Sequence, residues 1–281
     1  ESFGTDHGVY GTFRYHALRD EGNTDSRIGP LLPSYAGKSE NTVYDPNTYN
    51  TKTEECRNKE LEFASMDSGR QKVEELFAGL GGFQIQFIEG YGLDYQDLKR
   101  RNALYEEIAG IDSDPESTER LHFSEDDEIY VLFFRQVVDG ITLVNIDWYA
   151  GGTSRPSTDG GILALFTKDG MIDLEAVRIY VPGKALETIT PISAGTALEN
   201  FINKRYNVPK LEKETRVLSC ELEYAAVYEG EEYALTPVWV FLVQTKDDFQ
   251  TTNDSKYALD TLEYVLVDAK TGEILITPER G

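Results

Sequence analysis

The three histidines are the first residues to test for chemistry, because zinc sites and serine hydrolases both depend on histidine. They are His7, His16 and His122, and no two of them have the four-residue spacing of a helical zinc motif. No Gly-x-Ser-x-Gly segment occurs that would place a serine nucleophile on a sharp turn. The sequence therefore predicts no metal site and no catalytic triad.

Carboxylates are the other abundant reactive groups. The chain has 50 Asp and Glu residues, so two of them could lie at the separation that an acid/base glycosidase needs, and this pattern leaves a hydrolase open. Asp112, Asp114 and Glu116 alternate as calcium ligands do, but Pro115 interrupts them, and the glycine and distal glutamate of an EF-hand are missing. We interpret these residues and the acidic run 125–128 as solvated linker.

Four residues form the predicted binding surface: Trp148, Ser154, Arg155 and Trp239. Ser154 and Arg155 lie in a glycine-rich loop, 150–161, which lacks the Gly-Lys-Ser/Thr sequence of a phosphate-binding loop. We interpret the loop as a hairpin connection, with a binding lip as the functional alternative. The two tryptophans are predicted core aromatics, although either could form the floor of a groove for peptide or glycan. No cofactor is expected.

Charge and cysteine content limit the possible partners and the compartment. Against the 50 acidic residues stand 27 basic ones, and the net charge of −23 repels phosphate backbones, so nucleic acid is not an expected partner. Membrane attachment is expected only through an N-terminal anchor that this sequence does not contain. Two cysteines do not make a disulfide scaffold. Cys220 is predicted to be a core thiol on an apolar strand face with Leu218, Leu222 and Tyr224, and a bridge to Cys56 is the alternative.

The elements of the first half follow from hydrophobic spacing. Residues 1–66 are predicted to be a partly irregular arm laid over the first domain, with one strand between Val9 and Leu18. A helix capped by Asp67 or Ser68 follows, with apolar residues at i, i+3, i+4 and i+7, and glycines end it. After it the pattern predicts a strand over 83–87, a helix from near Asp94, strands over 130–138 and 141–148 joined by Asp139-Gly140, and strands over 162–166 and 171–181.

The second half has a similar order. Ser193 is predicted to cap a helix, after which strands over 216–228, 233–244, 262–268 and 273–276 follow. Strand 233–244 is apolar on both sides, so another part of the chain must cover its second face. The sequence thus predicts an α+β protein of two tandem modules, each an antiparallel sheet packed against one or two helices. The predicted boundaries are 1–66 for the arm, 67–188 for the first module and 189–281 for the second.

Short segments of the second half resemble a PepSY domain. They are Ile192 to Leu198 (ISAGTAL), Leu235 to Trp239 (LTPVW) and Val267 to Ile274 (VDAKTGEI). Arg135 to Ile141 (RQVVDGI) is similar to the strand and turn of the propeptide (FTP) domain of thermolysin-type proteases. Two such modules in tandem also resemble the YycH and YycI regulators of Gram-positive bacteria and a group of clostridial lipoproteins.

The resemblance implies an extracytoplasmic protein of a Gram-positive bacterium, lipid-anchored or secreted, that binds a protein or peptide in the cell envelope and regulates it without catalysis. It implies no catalytic residue, because the family pattern contains none. Two alternatives stay open. One is a carboxylate-dependent hydrolase of cell-wall or dietary polymers, and the other is a protease inhibitor that acts like a detached propeptide.

Overall fold

The computed structural model describes residues 2–6, 10–16, 43–44, 55–81, 83–109, 123–144, 161–205, 215–229, 232–247 and 259–276. Within these residues the chain forms two antiparallel sheets and three α-helices, so the predicted α+β class is confirmed. No helix in the described ranges is long and apolar enough to cross a membrane.

The first sheet has seven strands. In spatial order, six of them form the path β1-β2-β8-β7-β5-β4, and β6 pairs with β5 beside this path. The bounds are β1 Ser2–Asp6, β2 Tyr10–His16, β4 Gln84–Leu93, β5 Ile129–Val138, β6 Ile141–Thr142, β7 Gly161–Thr167 and β8 Gly170–Ile179. The strand predicted near the N-terminus is thus β2, which pairs with β8 in this sheet.

Two helices accompany this sheet, α1 (Met66–Gly79) and α2 (Tyr95–Ala109). The predicted cap of α1 was wrong by two or three residues, because the Ser65 hydroxyl accepts the hydrogen bond from the Ser68 amide. The spacing was right: Val73 and Phe77 are buried in a core with the inner residues of β5, β7 and β8. A helix can bury one apolar stripe against a sheet, and α1 does so.

The turn after β5 is the predicted two-residue hairpin, but the strand after it is much shorter than predicted. Asp139 and Gly140 have φ angles of 50° and 80°, as such a turn requires. A strand as far as Trp148 was predicted, whereas β6 ends at Thr142. The next residue, Leu143, forms a parallel bridge to the second sheet. Strand β5 also pairs directly with β7.

The second sheet has five strands in the order β12-β11-β10-β9, with β3 also paired to β11. The bounds are β3 Val43–Tyr44, β9 Thr215–Glu229, β10 Glu232–Asp247, β11 Leu259–Asp268 and β12 Ile274–Ile276. Helix α3 (Ala194–Arg205) packs on one face, where Phe201 lies stacked at 6.3 Å from Phe241. The other face of β10 is covered as predicted, since Val238 and Val240 pack with Val144 from the first half of the chain.

In both halves a helix precedes four strands that lie side by side in the order of the chain, apart from the short β6. These strands are β4, β5, β7 and β8 in the first sheet, with α2 inserted after β4, and β9 to β12 in the second. The predicted domain boundaries at 66 and 188 stay a prediction.

Both cysteines are free thiols, and one of them lies where the sequence did not predict it. Cys56 is buried, but Cys220 is exposed, so its prediction as a core thiol was wrong. The physical reason is the position of its strand: β9 ends the sheet, so its apolar side chains have a neighbour on one side only.

Candidate functional site

Of the four predicted binding residues, the structure describes Trp239. Trp148, Ser154 and Arg155 lie outside the described residues, as do His7, His122 and the acidic residues 112–116. Trp239 is half-buried in the cluster that α3 forms with the second sheet, and its indole N–H donates to the Ile192 carbonyl at 2.9 Å. That bond ties the segment before α3 to strand β10.

Two carboxylates with short ion-pair contacts, Asp94 and Asp97, lie at the start of α2. Lys59 Nζ lies 2.6 Å from Asp94 Oδ2 and 2.5 Å from Asp97 Oδ2, and Arg100 also binds Asp97. Burial acts to raise the pKa of Asp94, but hydrogen bonds from Lys59 and the Asp97 amide outweigh it and hold the pKa below its ordinary value. These carboxylates therefore fasten the segment around Lys59 to α2.

The second acidic run, 125–128, is organised by a serine. The amide and hydroxyl of Ser124 donate to Asp127 Oδ2 at 2.8 and 3.0 Å, and Lys168 lies 3.5 Å from Asp126. Burial raises the pKa of Glu128. No group of three or more potential metal-binding side chains occurs in the part of the chain that the structure describes.

A buried ion pair joins the two sheets. Arg135 Nη1 on β5 lies 2.5 Å from Glu223 Oε1 on β9, and both side chains are nearly excluded from solvent. Burial raises the pKa of Glu223, against the opposing effect of the Arg135 charge. Removing either partner of such a pair would destabilise the protein strongly, since the other charge would stay buried without a partner.

Residues near this ion pair make further contacts. The Gln136 side chain donates to the Tyr180 carbonyl at 2.6 Å and accepts from the Tyr180 amide at 2.9 Å. The Val144 amide donates to the Tyr224 carbonyl of β9 at 2.8 Å. The rings of Tyr180 and Tyr233 meet edge to face at 5.4 Å. Arg135 thus connects the two sheets, and Gln136 holds the end of β8, where the Tyr180 ring meets Tyr233 of β10.

Strand β9 forms an edge of the second sheet, and its first half is open. Its neighbour on one side is β10, and the contact at Tyr224 through Leu143 and Val144 is on the other. Leu143 pairs in the parallel direction, so Val144 continues beside the residues after Tyr224, and β6, which precedes Leu143, also contacts β9. In the described structure no strand pairs with the outer side of residues Val217–Leu222, which we name the open edge.

The open edge carries exposed apolar side chains. Val217 is 42% and Leu218 50% exposed, and Cys220 is exposed as well. The pairing with β10 shifts register here, so Leu218 is the extra residue of a bulge at one end of the open edge. An edge strand presents unpaired N–H and C=O groups in alternation and is a template for another strand.

The first sheet also has an open edge, and it differs in chemistry. Strand β4 has β5 on one side, and its C-terminal half is covered on the other, where Asn58 donates to Gly90 and Gly92 to Cys56. On its N-terminal half Gln84 and Gln86 are exposed, whereas Ile85 and Phe87 pack on the core under α1. Among the strand edges with described side chains, β9 thus combines open backbone with exposed apolar groups.

The sequence did not reveal this edge. The strand itself was predicted, and so was the apolar face that contains Cys220 and Leu222, but that face was placed in the core. The signal that could have indicated an edge is the second face of the same strand, where Ser219, Glu221 and Glu223 are polar.

Comparisons with known proteins give a fold but no family. No protein-family model matches the chain, and neither does any curated protein. A crystal structure of an uncharacterised protein from Eubacterium rectale is similar over 98% of this chain and 75% of its own, with a TM-score of 0.61 and 16% identity. This likeness shows a shared α+β fold. The Bacillus megaterium YpeB C-terminal domain aligns with 76% of this chain and 99% of its own, but a TM-score of 0.28 at 12% identity is too low to show a shared fold.

Proposed function

We propose that this is a non-catalytic binding or regulatory protein, with two PepSY-like modules, that recognises an extended segment of another protein by strand addition at the open edge. The observation that carries the proposal is the first half of β9, where unpaired backbone and exposed apolar side chains coincide. Backbone bonds would supply general affinity for an extended chain, and the side chains of Val217 and Leu218 would supply selectivity.

The compartment belongs to the same proposal. The PepSY-like segments support an extracytoplasmic position in a Gram-positive bacterium, with lipid anchoring or secretion as the two modes. The carboxylates that a hydrolase would need offer less support, because Asp94 and Asp97 are occupied by ion pairs with Lys59. These ion pairs hold the segment around Lys59 against the start of α2.

The test is a selection of displayed random eight-residue peptides on the purified protein, followed by affinity measurement with synthetic copies. A selected peptide should bind the wild type at least about ten-fold more tightly than Val217→Lys, because a lysine on an edge strand opposes pairing. The matched control is Gln86→Lys on the edge of β4, which should bind as the wild type does. If no selected peptide distinguishes Val217→Lys from the control, the proposal is wrong.

Backbone methylation separates strand addition from side-chain binding. Two versions of a selected peptide carry N-methyl groups, one at the odd positions and one at the even positions. In a strand the amides alternate between the two edges, so one version should lose binding and the other should keep it. Equal affinities of the two versions would contradict strand addition.

A further inference from the structure

We propose that the segment received by the open edge alternates apolar residues with Lys or Arg, so that its apolar side faces the α3 side of the sheet and its basic side faces Glu221. This inference rests on the proposed function and names the chemistry of the partner. Successive side chains of β9 point to opposite faces of the sheet, so the two faces of an added strand would meet different chemistry.

The face on the α3 side is apolar. In the pairing with β10, Val217 is opposite Val243, Cys220 opposite Phe241 and Leu222 opposite Trp239. Helix α3 covers the inner strands, where Ala197 and Phe201 pack with residues of β10 and β11: Phe241, Val243, Val265 and Val267. The apolar groups of β9 lie beyond this cluster and are in part exposed. An added strand with apolar side chains on this face would extend the cluster outward.

The opposite face is acidic. Here Glu221 is opposite Val240 and Glu223 is opposite Val238, so both carboxylates lie on one side of the strand. Glu223 is buried and paired with Arg135, whereas Glu221 is exposed. Burial raises the pKa of Glu223, Arg135 opposes this effect, and the neighbouring Glu221 adds to it. The Arg135 guanidinium binds Glu223, and a Lys or Arg of an added strand beside Glu221 would supply a cation to the exposed carboxylate.

A second copy of the chain is the less favoured occupant. Edge-to-edge pairing would join two chains of net charge −23. Their mutual repulsion opposes association, while the same field attracts a basic segment and speeds its encounter. Arg216, at the far end of β9, makes an interaction of its own. The bulge at Leu218 and the contact at Tyr224 limit the pairing to about six residues, so the fitting partner is a short segment.

The experiment measures fluorescence anisotropy with three peptides of eight residues. The first alternates valine and lysine, the second has the same composition in two blocks, and the third alternates valine and glutamate. We expect the first to bind most tightly and Glu221→Lys to weaken it about five-fold while strengthening the glutamate peptide. Glu75→Lys, the same change on the exposed surface of α1, is the matched control and should leave the order of the peptides unchanged.

The outcomes distinguish this inference from the proposed function. If selected peptides bind the open edge but neither alternation nor Glu221→Lys affects their affinity, the inference is wrong and strand addition stands. If no peptide responds to Val217→Lys, both are wrong. Sedimentation at equal concentrations without peptide gives the third arm, and a dimer abolished by Val217→Lys would overturn the basic partner in favour of a second copy. Thermal unfolding of each variant shows that it is folded, and gain of glutamate-peptide binding cannot come from misfolding.

Discussion

Replacing Arg135 by methionine tests whether the buried ion pair joins the two sheets. The change keeps an unbranched side chain that replaces the aliphatic part of arginine, but it leaves Glu223 without its cation in a site that is 3% exposed. Glu223 can then remain in the folded protein only as a desolvated carboxylate or as a protonated acid, and a buried charge without its partner costs about 3–5 kcal/mol.

The free-energy cost of protonating Glu223 sets the size of the stability loss and its dependence on pH. Protonating an ordinary glutamate costs about 3.5 kcal/mol at pH 7 and less than about 1 kcal/mol at pH 5, at ~1.36 kcal/mol per pH unit. Burial already raises the pKa of Glu223 in the folded wild type. For an acid whose pKa is raised in the folded state, the penalty on folding is full above that raised pKa, and it fades as the pH falls from there to the ordinary pKa. We therefore expect Arg135→Met to lower the free energy of unfolding by about 3 kcal/mol at pH 7 and by much less at pH 5.

The assay is urea unfolding followed by tryptophan fluorescence at both pH values. Lys270→Met is the matched control, because Lys270 binds Glu187 at 2.7 Å on the exposed surface and such pairs contribute about 0–1 kcal/mol. The double variant Arg135→Met/Glu223→Leu should be more stable than Arg135→Met at pH 7 and should not regain stability at pH 5. A loss that is equal at both pH values, or no greater than that of the control, would refute this account of the junction.

Three further predictions concern the end of β4, the thiols and the start of α2. Gly92→Ala should lower the free energy of unfolding by about 3 kcal/mol in a urea titration, because the added Cβ would lie 2.1 Å from the Lys59 carbonyl oxygen. In the native protein a thiol reagent should modify Cys220 and spare Cys56. Cys56 is buried, and burial together with the charge of Asp97 raises its pKa to about 11. Rapid modification of both thiols would contradict this prediction. The pKa of Asp94 is lowered in the folded state, so its carboxylate should stabilise the fold at pH values above the ordinary aspartate pKa. This stabilisation should be lost as the pH falls from there through the lowered pKa. The free energy of unfolding of Asp94→Asn, measured over the same acid range, should lack this loss.

Local features of the fold were predictable from the sequence because local rules determine them. The helical spacing of Val73 and Phe77 identified α1, and the need for positive φ at two successive residues identified the Asp139-Gly140 turn. The apolar residues on both sides of β10 indicated that its second face is covered. Each of these depends on periodicity or on turn geometry within a few residues.

Relations between distant elements were not predictable in the same way. The strand after Gly140 was predicted to continue as far as Trp148, but Leu143 pairs with Tyr224 in the other sheet instead. A run of hydrophobic residues fits either sheet equally well, so the pattern cannot show at which residue the chain passes from the first sheet to the second.

The open edge escaped prediction for a related reason. Alternation along β9 assigned Cys220 to an apolar face correctly, since it lies opposite Phe241. Whether that face is buried depends on the position of the strand in the sheet and on how far α3 reaches across it. Neither is encoded in the spacing of the residues of β9. The candidate site is therefore a property of the assembled sheet, and Trp239 is the predicted residue that lies beside it.

Hydrogen–deuterium exchange of the backbone amides of the open edge tests the central claim most directly. In the free protein, the amides of Val217–Leu222 that point away from β10 should exchange quickly, while those bonded to β10 should exchange slowly. Addition of the alternating valine–lysine peptide should slow the fast amides at least about ten-fold and leave the amides of Gln84–Phe87 on β4 unchanged. Exchange that stays fast at every outward amide of the open edge while the peptide is bound would contradict strand addition at this site.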